Sequence, residues 1–152
     1  MARMSRSILR AGKTVPFKTW PFPDGARCLR LESHPSGTQA TILARIQASD
    51  DLMDLILAVD ALREWNEPVP RLVLPCVPNQ RQDRACVNGE PVGILAFARQ
   101  IAALGIKHVT MFDPHSEVTP AVFKALGMSV TAHSQAAVVG RFDALNVRLT
   151  KP

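Results

Sequence analysis

The stretch "RLVLPCVPNQRQDRACVNGEP" (71–91) is where the chain declares itself. Its opening, "RLVLPCV" (71–77), is an apolar run with the length and composition of a buried strand, in which Cys76 is expected as a small core residue. Behind it stand Arg81, Gln82, Asp83 and Arg84 in one unbroken row. Charges at the mouth of a buried strand cost stability unless something requires them there. Arg81 and Arg84 can each present a planar, permanently charged fork to phosphate oxygens. Gln82 offers a donor and an acceptor for a base edge or a ribose, and Asp83 would orient an arginine or meet a metal. The same row also suits a solvated loop that neutralises itself and binds nothing.

On both sides of this run the sequence alternates between strand and helix patterns. "TQATILARIQ" (38–47) reads as a strand. Ser49 is expected to cap a helix whose first turn carries Asp50 and Asp51, with Leu52, Leu55, Ile56, Val59 and Leu62 on one face. "EPVP" (67–70) stops that helix before the strand at 71–77. Glu90-Pro91 is expected to open a second helix, with proline at its first position and Gly105 at its end. "HVTMFD" (108–113) is the next strand; a third helix starts at Thr119-Pro120 and stops at Gly127, and "MSVTA" (128–132) is extended. Alternation of this kind predicts an α/β fold with a parallel sheet covered by helices on both faces. Ahead of it, "RSILR" and "KTVPFK" around Ala11-Gly12 predict a β-hairpin, and Asp24-Gly25 predicts a turn leading into the modest strand "ARCLRLE". The acid-free, Arg-rich start also has the look of a transit peptide, but the hairpin accounts better for its apolar residues.

In parallel sheets ligands bind beyond the carboxyl ends of the strands. Two groups fall there: the row at 81–84, and Asp113-Pro114-His115. On extended backbone Asp113 and His115 would point to the same side and could serve a divalent ion. The alternative is that Asp113 merely hydrogen-bonds the imidazole. There is no GxxxxGK[ST], so a phosphate here would be held by arginines and metal rather than by a P-loop.

Composition narrows the choice of partner. The 152 residues suit one compact domain, and 47 % hydrophobic against 20 % charged residues is neither a disordered nor a membrane composition. A net charge of +5 favours polyanionic ligands. Aromatics make up 5 % and tyrosine is missing, so the stacking platform of a single-strand binder is not there; small phosphorylated ligands lead over nucleic acid. Cys28, Cys76 and Cys86 are an odd number without CxxC spacing, which argues against disulfides and zinc and for a reducing cytoplasm.

Taken in order, "FPDG" (22–25), "SDDLMDLILAVDALRE" (49–64), "LVLPCVPNQRQDR" (72–84) and "KHVTMFDPHSE" (107–117) resemble the N-terminal half of the ribose-phosphate pyrophosphokinases, or phosphoribosyl pyrophosphate synthetases, over roughly residues 17 to 135. The resemblance implies a phosphoribosyltransferase-like α/β fold and transfer of the β,γ-pyrophosphoryl group of ATP, with Mg²⁺, to the 1-hydroxyl of ribose 5-phosphate. It implies that Arg81 and Gln82 contact ATP, with Asp83 and Arg84 in support, and that His115 and Asp113 serve the magnesium–phosphate cluster. Phe22 and Asp24 match residues that reach the adenine of a neighbouring subunit, which implies a homo-oligomer.

Two local departures stand out. Ala26 replaces a glutamate of the family's "FSDGE", and "ACVNGEPVGI" replaces a basic stretch. Both resemble divergent phage and bacterial members found beside nicotinamide-salvage genes, which leaves the acceptor open between ribose 5-phosphate and a related sugar phosphate. The family's second domain, with its acidic ribose-phosphate loop and flexible basic loop, is expected to be missing from residues 1–152, since "NVRLTKP" falls near where that domain would begin. Activity would then require a separate C-terminal domain chain. Two rival readings are a noncatalytic regulatory homologue that binds nucleotide or a full-length enzyme, and a basic α/β module for nucleic acid.

Overall fold

The computed structural model describes residues 7–10, 13–34 and 39–137. Strands β1 (Ser7–Arg10) and β2 (Lys13–Val15) pair antiparallel as the expected hairpin; its Ala11-Gly12 turn lies outside the described residues. Strand β3 (Phe17–Pro21) and strand β4 (Arg27–Leu31) form a second hairpin, a separate two-stranded sheet closed by the Asp24-Gly25 turn. The main sheet adds β5 (Thr41–Leu43), β6 (Arg71–Leu74), β7 (His108–Phe112) and β8 (Ser129–His133), in the order β2-β1-β5-β6-β7-β8. The last four strands are parallel, and the crossovers between them run through α1 (Ser49–Glu64), α2 (Gly93–Ala103) and α3 (Val118–Ala125). The result is a mostly parallel sheet flanked by helices, as the alternation predicts.

Alternating burial explains why these segments are strands. Leu72 and Leu74 of β6, and Val109 and Met111 of β7, are buried, while Val73, Thr110 and Phe112 between them are half-buried. The core joins them to Ile42, Leu55, Val59, Leu62, Ile94, Ile101 and Phe123. On α1 the apolar stripe meets the sheet as its spacing requires, with Leu55, Val59 and Leu62 buried.

Several local expectations are corrected. The strand expected at 71–77 ends at Leu74, because Pro75 has no N–H to give to a ladder. Cys76 consequently lies beyond the strand and is exposed, not a core residue. The strand at 38–47 shrinks to Thr41–Leu43, the three residues that pair with Arg71, Leu72 and Val73 of β6. Helix α1 begins at Ser49 with Ala48 as its cap residue, and Ser49 does not cap it. Asp51 instead reaches back, its Oδ2 accepting from the N–H of Gln47 at 2.7 Å and of Ala48 at 2.9 Å. That carboxylate satisfies amides which the helix start leaves open.

Helix α2 starts at Gly93, not at Pro91, with Val92 as cap residue. Its other end follows expectation: Gly105 takes a φ of +74° directly after the last turn, the left-handed position that favours glycine. No helix among the described residues is long and apolar enough to cross a membrane.

Candidate functional site at the carboxyl ends of the central strands

The loop after β6 and the loop after β7 come together over the sheet's carboxyl edge. Two side-chain bonds join them. Gln80 Oε1 accepts from the backbone N–H of His115 at 3.1 Å, and the Ser116 hydroxyl donates to Asp83 Oδ2 at 3.2 Å. The row at 81–84 and the Asp113-Pro114-His115 group, whose nearest members are 29 positions apart in sequence, are therefore brought together.

Within the row the residues separate into two roles. Asp83 holds Arg84 through both ends of the fork, Arg84 Nε to Oδ1 at 2.8 Å and Nη2 to Oδ2 at 3.3 Å. The bond from Arg84 pulls the Asp83 carboxyl below its ordinary value, so this pair is ionised on both sides at neutral pH. Arg84 is thus partly neutralised within the loop. Arg81 is exposed, and no described residue pairs with its guanidinium. Arg81 is therefore the cation of this row that is left without a described partner.

Gln82 is half-buried, and its seat is built by a glycine. A Cβ on Gly93 would overlap Gln82 Oε1 and lie 3.0 Å from Asn79 Nδ2. The backbone closes the same corner, with Gln82 N donating to Asn79 O at 2.9 Å and Ile94 N donating to Gln82 O at 3.2 Å. This contact explains the start of α2: the first helical residue must be the one without a side chain. Replacing Gly93 by alanine is expected to push the Gln82 amide out of its seat. Stability should move by less than about 1 kcal/mol, because only a flexible side-chain end is displaced and alanine favours the helix. Any ligand held by Gln82 should bind about fivefold more weakly, one ordinary hydrogen bond. Paired calorimetry and urea melts read both, and unchanged affinity would show that Gln82 holds nothing.

Asp113 departs from the sequence expectation. It lies just past β7 with a φ of +48°, so the backbone is not extended and the shared-side geometry with His115 does not arise. No hydrogen bond joins the Asp113 carboxylate to the His115 imidazole among the described residues. Both side chains are exposed at the rim. No group of three or more His, Cys, Asp or Glu able to hold a metal occurs among the described residues. Asp113 and His115 thus do not make a protein-only metal cage.

Phe22 and Asp24 sit elsewhere. Their turn is tight: Gly25 N donates to Phe22 O at 2.9 Å, Phe22 N to Ala26 O at 2.7 Å, and Ala26 N to Asp24 Oδ1 at 2.9 Å. Phe22 is 48 % exposed, which leaves about half of its surface uncovered by the described chain. Immediately after the turn, Arg27 forks onto Asp54 of α1, Nε to Oδ1 at 2.9 Å and Nη2 to Oδ2 at 2.6 Å. No hydrogen bond or ion pair among the described residues joins this turn to the row at 81–84. An open cleft of about 440 Å³ adjoins the row, between Ile46, Gln47 and Ser49 on one side and Pro78, Asn79 and Phe97 on the other.

Sequence reasoning passed over Gln80, Ser116, Gly93 and the Arg27–Asp54 pair. Only Gly93 carried a usable signal, as a glycine two residues past Pro91 in a segment otherwise fit for helix.

Comparison with known proteins agrees with the fold and with the family resemblance. No family model matches the chain. A ribose-phosphate pyrophosphokinase of Thermococcus kodakarensis is 34 % identical over 125 residues, covering 80 % of this chain and 42 % of that protein. One from Halobacterium salinarum is 31 % identical over 116 residues, covering 76 % of this chain and 41 % of that protein. The crystal structure of phosphoribosylpyrophosphate synthetase from Mycobacterium smegmatis superposes with a TM-score of 0.74 at 19 % identity, covering 88 % of this chain and 44 % of that one, a likeness of fold. By sequence over most of its length, the chain belongs to the ribose-phosphate pyrophosphokinase family, of whose matched members it spans about two fifths.

Proposed function

We propose that this chain is the N-terminal, ATP-side domain of a ribose-phosphate pyrophosphokinase and that it binds ATP with Mg²⁺. The observation that carries the reading is Arg81, an exposed guanidinium with no described partner, set beside a seated Gln82 on a loop tied to His115. Arg81 and Gln82 contact the nucleotide, and Asp83 with Arg84 brace the loop. Mg²⁺ enters on the triphosphate, with His115 and Asp113 at its edge. In the reaction that the relatives' name describes, the acceptor's 1-hydroxyl oxygen bonds to the β-phosphorus. The α–β bridging bond breaks, AMP leaves, and the hydroxyl proton is released.

Such transfer depends on holding both reactants in line and on stabilising the charge that develops. The described residues seat one reactant. The acceptor, ribose 5-phosphate or a related sugar phosphate of nicotinamide salvage, is assigned to polypeptide outside this stretch, so these 152 residues alone bind ATP without turnover. The exposed Phe22 side chain supports a contact with a neighbouring copy's adenine, and hence a homo-oligomer. The free cysteines suit a cytoplasmic protein.

Calorimetric titration with ATP, with and without Mg²⁺, tests the reading directly. Mg-dependent binding is expected, with no phosphoribosyl pyrophosphate formed from ATP and ribose 5-phosphate until a second-domain polypeptide is added. Loss of nucleotide binding would remove the proposal; salt-sensitive binding to DNA or RNA instead would favour the nucleic-acid module.

A further inference from the structure

We infer that Gln80 is the positioning residue of the His115 loop, a role that rests on the nucleotide-site reading above for its purpose but not for its geometry. Gln80 is 5 % exposed, one of four buried polar or charged residues among those described. An amide taken out of water costs free energy unless it is bonded, so a buried glutamine on a loop needs a reason. Its reason is a single long-range bond, from the N–H of His115 to Oε1. The tether thus fixes the His115 backbone and leaves the imidazole exposed.

The backbone around that bond requires anchoring. Asp113 holds a left-handed conformation two residues earlier, a state that non-glycine residues keep only where the surroundings enforce it. The chain leaves β7 bonded on one side to the end of β8, through Asp113 N to His133 O at 2.7 Å, and meets Gln80 on the other. The parallel link from Ser116 to Asp83 lies nearer to water, and its acceptor is already engaged by Arg84. The Gln80 bond ties the His115 backbone to the residue directly before Arg81, so the two loop backbones that carry guanidinium and imidazole are held together.

Two substitutions separate tether from packing. Gln80→Met keeps the shape and loses the acceptor; Gln80→Glu keeps an acceptor at the same place. In the folded full chain, NMR hydrogen exchange at the His115 amide should quicken about tenfold in Gln80→Met, one hydrogen bond's worth, and stay protected in Gln80→Glu. Affinity for Mg·ATP should fall by a similar factor in Gln80→Met and largely return in Gln80→Glu. Unchanged His115 protection in Gln80→Met would overturn the proposal, and so would equal loss of protection in both variants. If the unaltered chain binds no Mg·ATP, the nucleotide reading fails, and the exchange rates still decide for or against the tether. Should Gln80→Met not fold, Gln80→Leu, which also lacks the acceptor, is compared with Gln80→Glu in the same way.

Discussion

Arg27→Ala is expected to destabilise the domain by about 3–5 kcal/mol, the cost of breaking a buried ion pair from one side. Asp54 has no solvent exposure and the Arg27 side chain is 12 % exposed, so the carboxylate cannot turn to water when its fork is removed. The two bonds, at 2.9 and 2.6 Å, are the strong bidentate kind. Arg27→Lys should recover only part of the loss, since an ammonium cannot supply the planar fork. Urea denaturation checks the figure; a loss under about 1 kcal/mol would place the pair with weak surface bridges. The consequence reaches the site as well. Arg27 moors the β3–β4 hairpin to α1, so any contact that Phe22 and Asp24 make with a neighbouring copy should weaken together with stability.

Arg81→Ala should have the opposite profile. Its guanidinium has no described partner to lose, so the melting temperature should hold. ATP affinity should drop by on the order of 1.5–3 kcal/mol, the value of one hydrogen bond to a charged group. Calorimetry with Mg·ATP reads the change; native-like affinity, or a collapse of the fold, would remove Arg81 from the clamp. Acid does not complicate the measurement. The Asp83 carboxyl is lowered from 3.8 by Arg84, so the bracing pair is fully present above that value and is lost only as the pH falls below it. Between about pH 5 and 8 the loop stays braced, and a change in ATP binding there reports on some other group.

How far each part of this molecule could be read ahead of its structure depends on the range of the forces that set it. Residue-to-residue periodicity determined the strands around Leu72–Leu74 and Val109–Met111, the apolar face of α1 and the stop at Gly105, because these follow from backbone geometry over one or two turns. Spacing along the chain also placed the row at 81–84 and the Asp113–His115 group beyond strand ends. What spacing could not decide was how those residues spend their bonds. Asp83 turns to Arg84 and Ser116, Gln80 reaches a backbone amide 35 residues away, and Asp113 is turned out of extended geometry. The buried Arg27–Asp54 pair and the glycine that starts α2 belong to the same class. Each depends on which loops meet over the sheet edge, and the free energy of a buried polar group is settled by the partner brought to it from elsewhere in the chain, so only the tertiary structure could assign them.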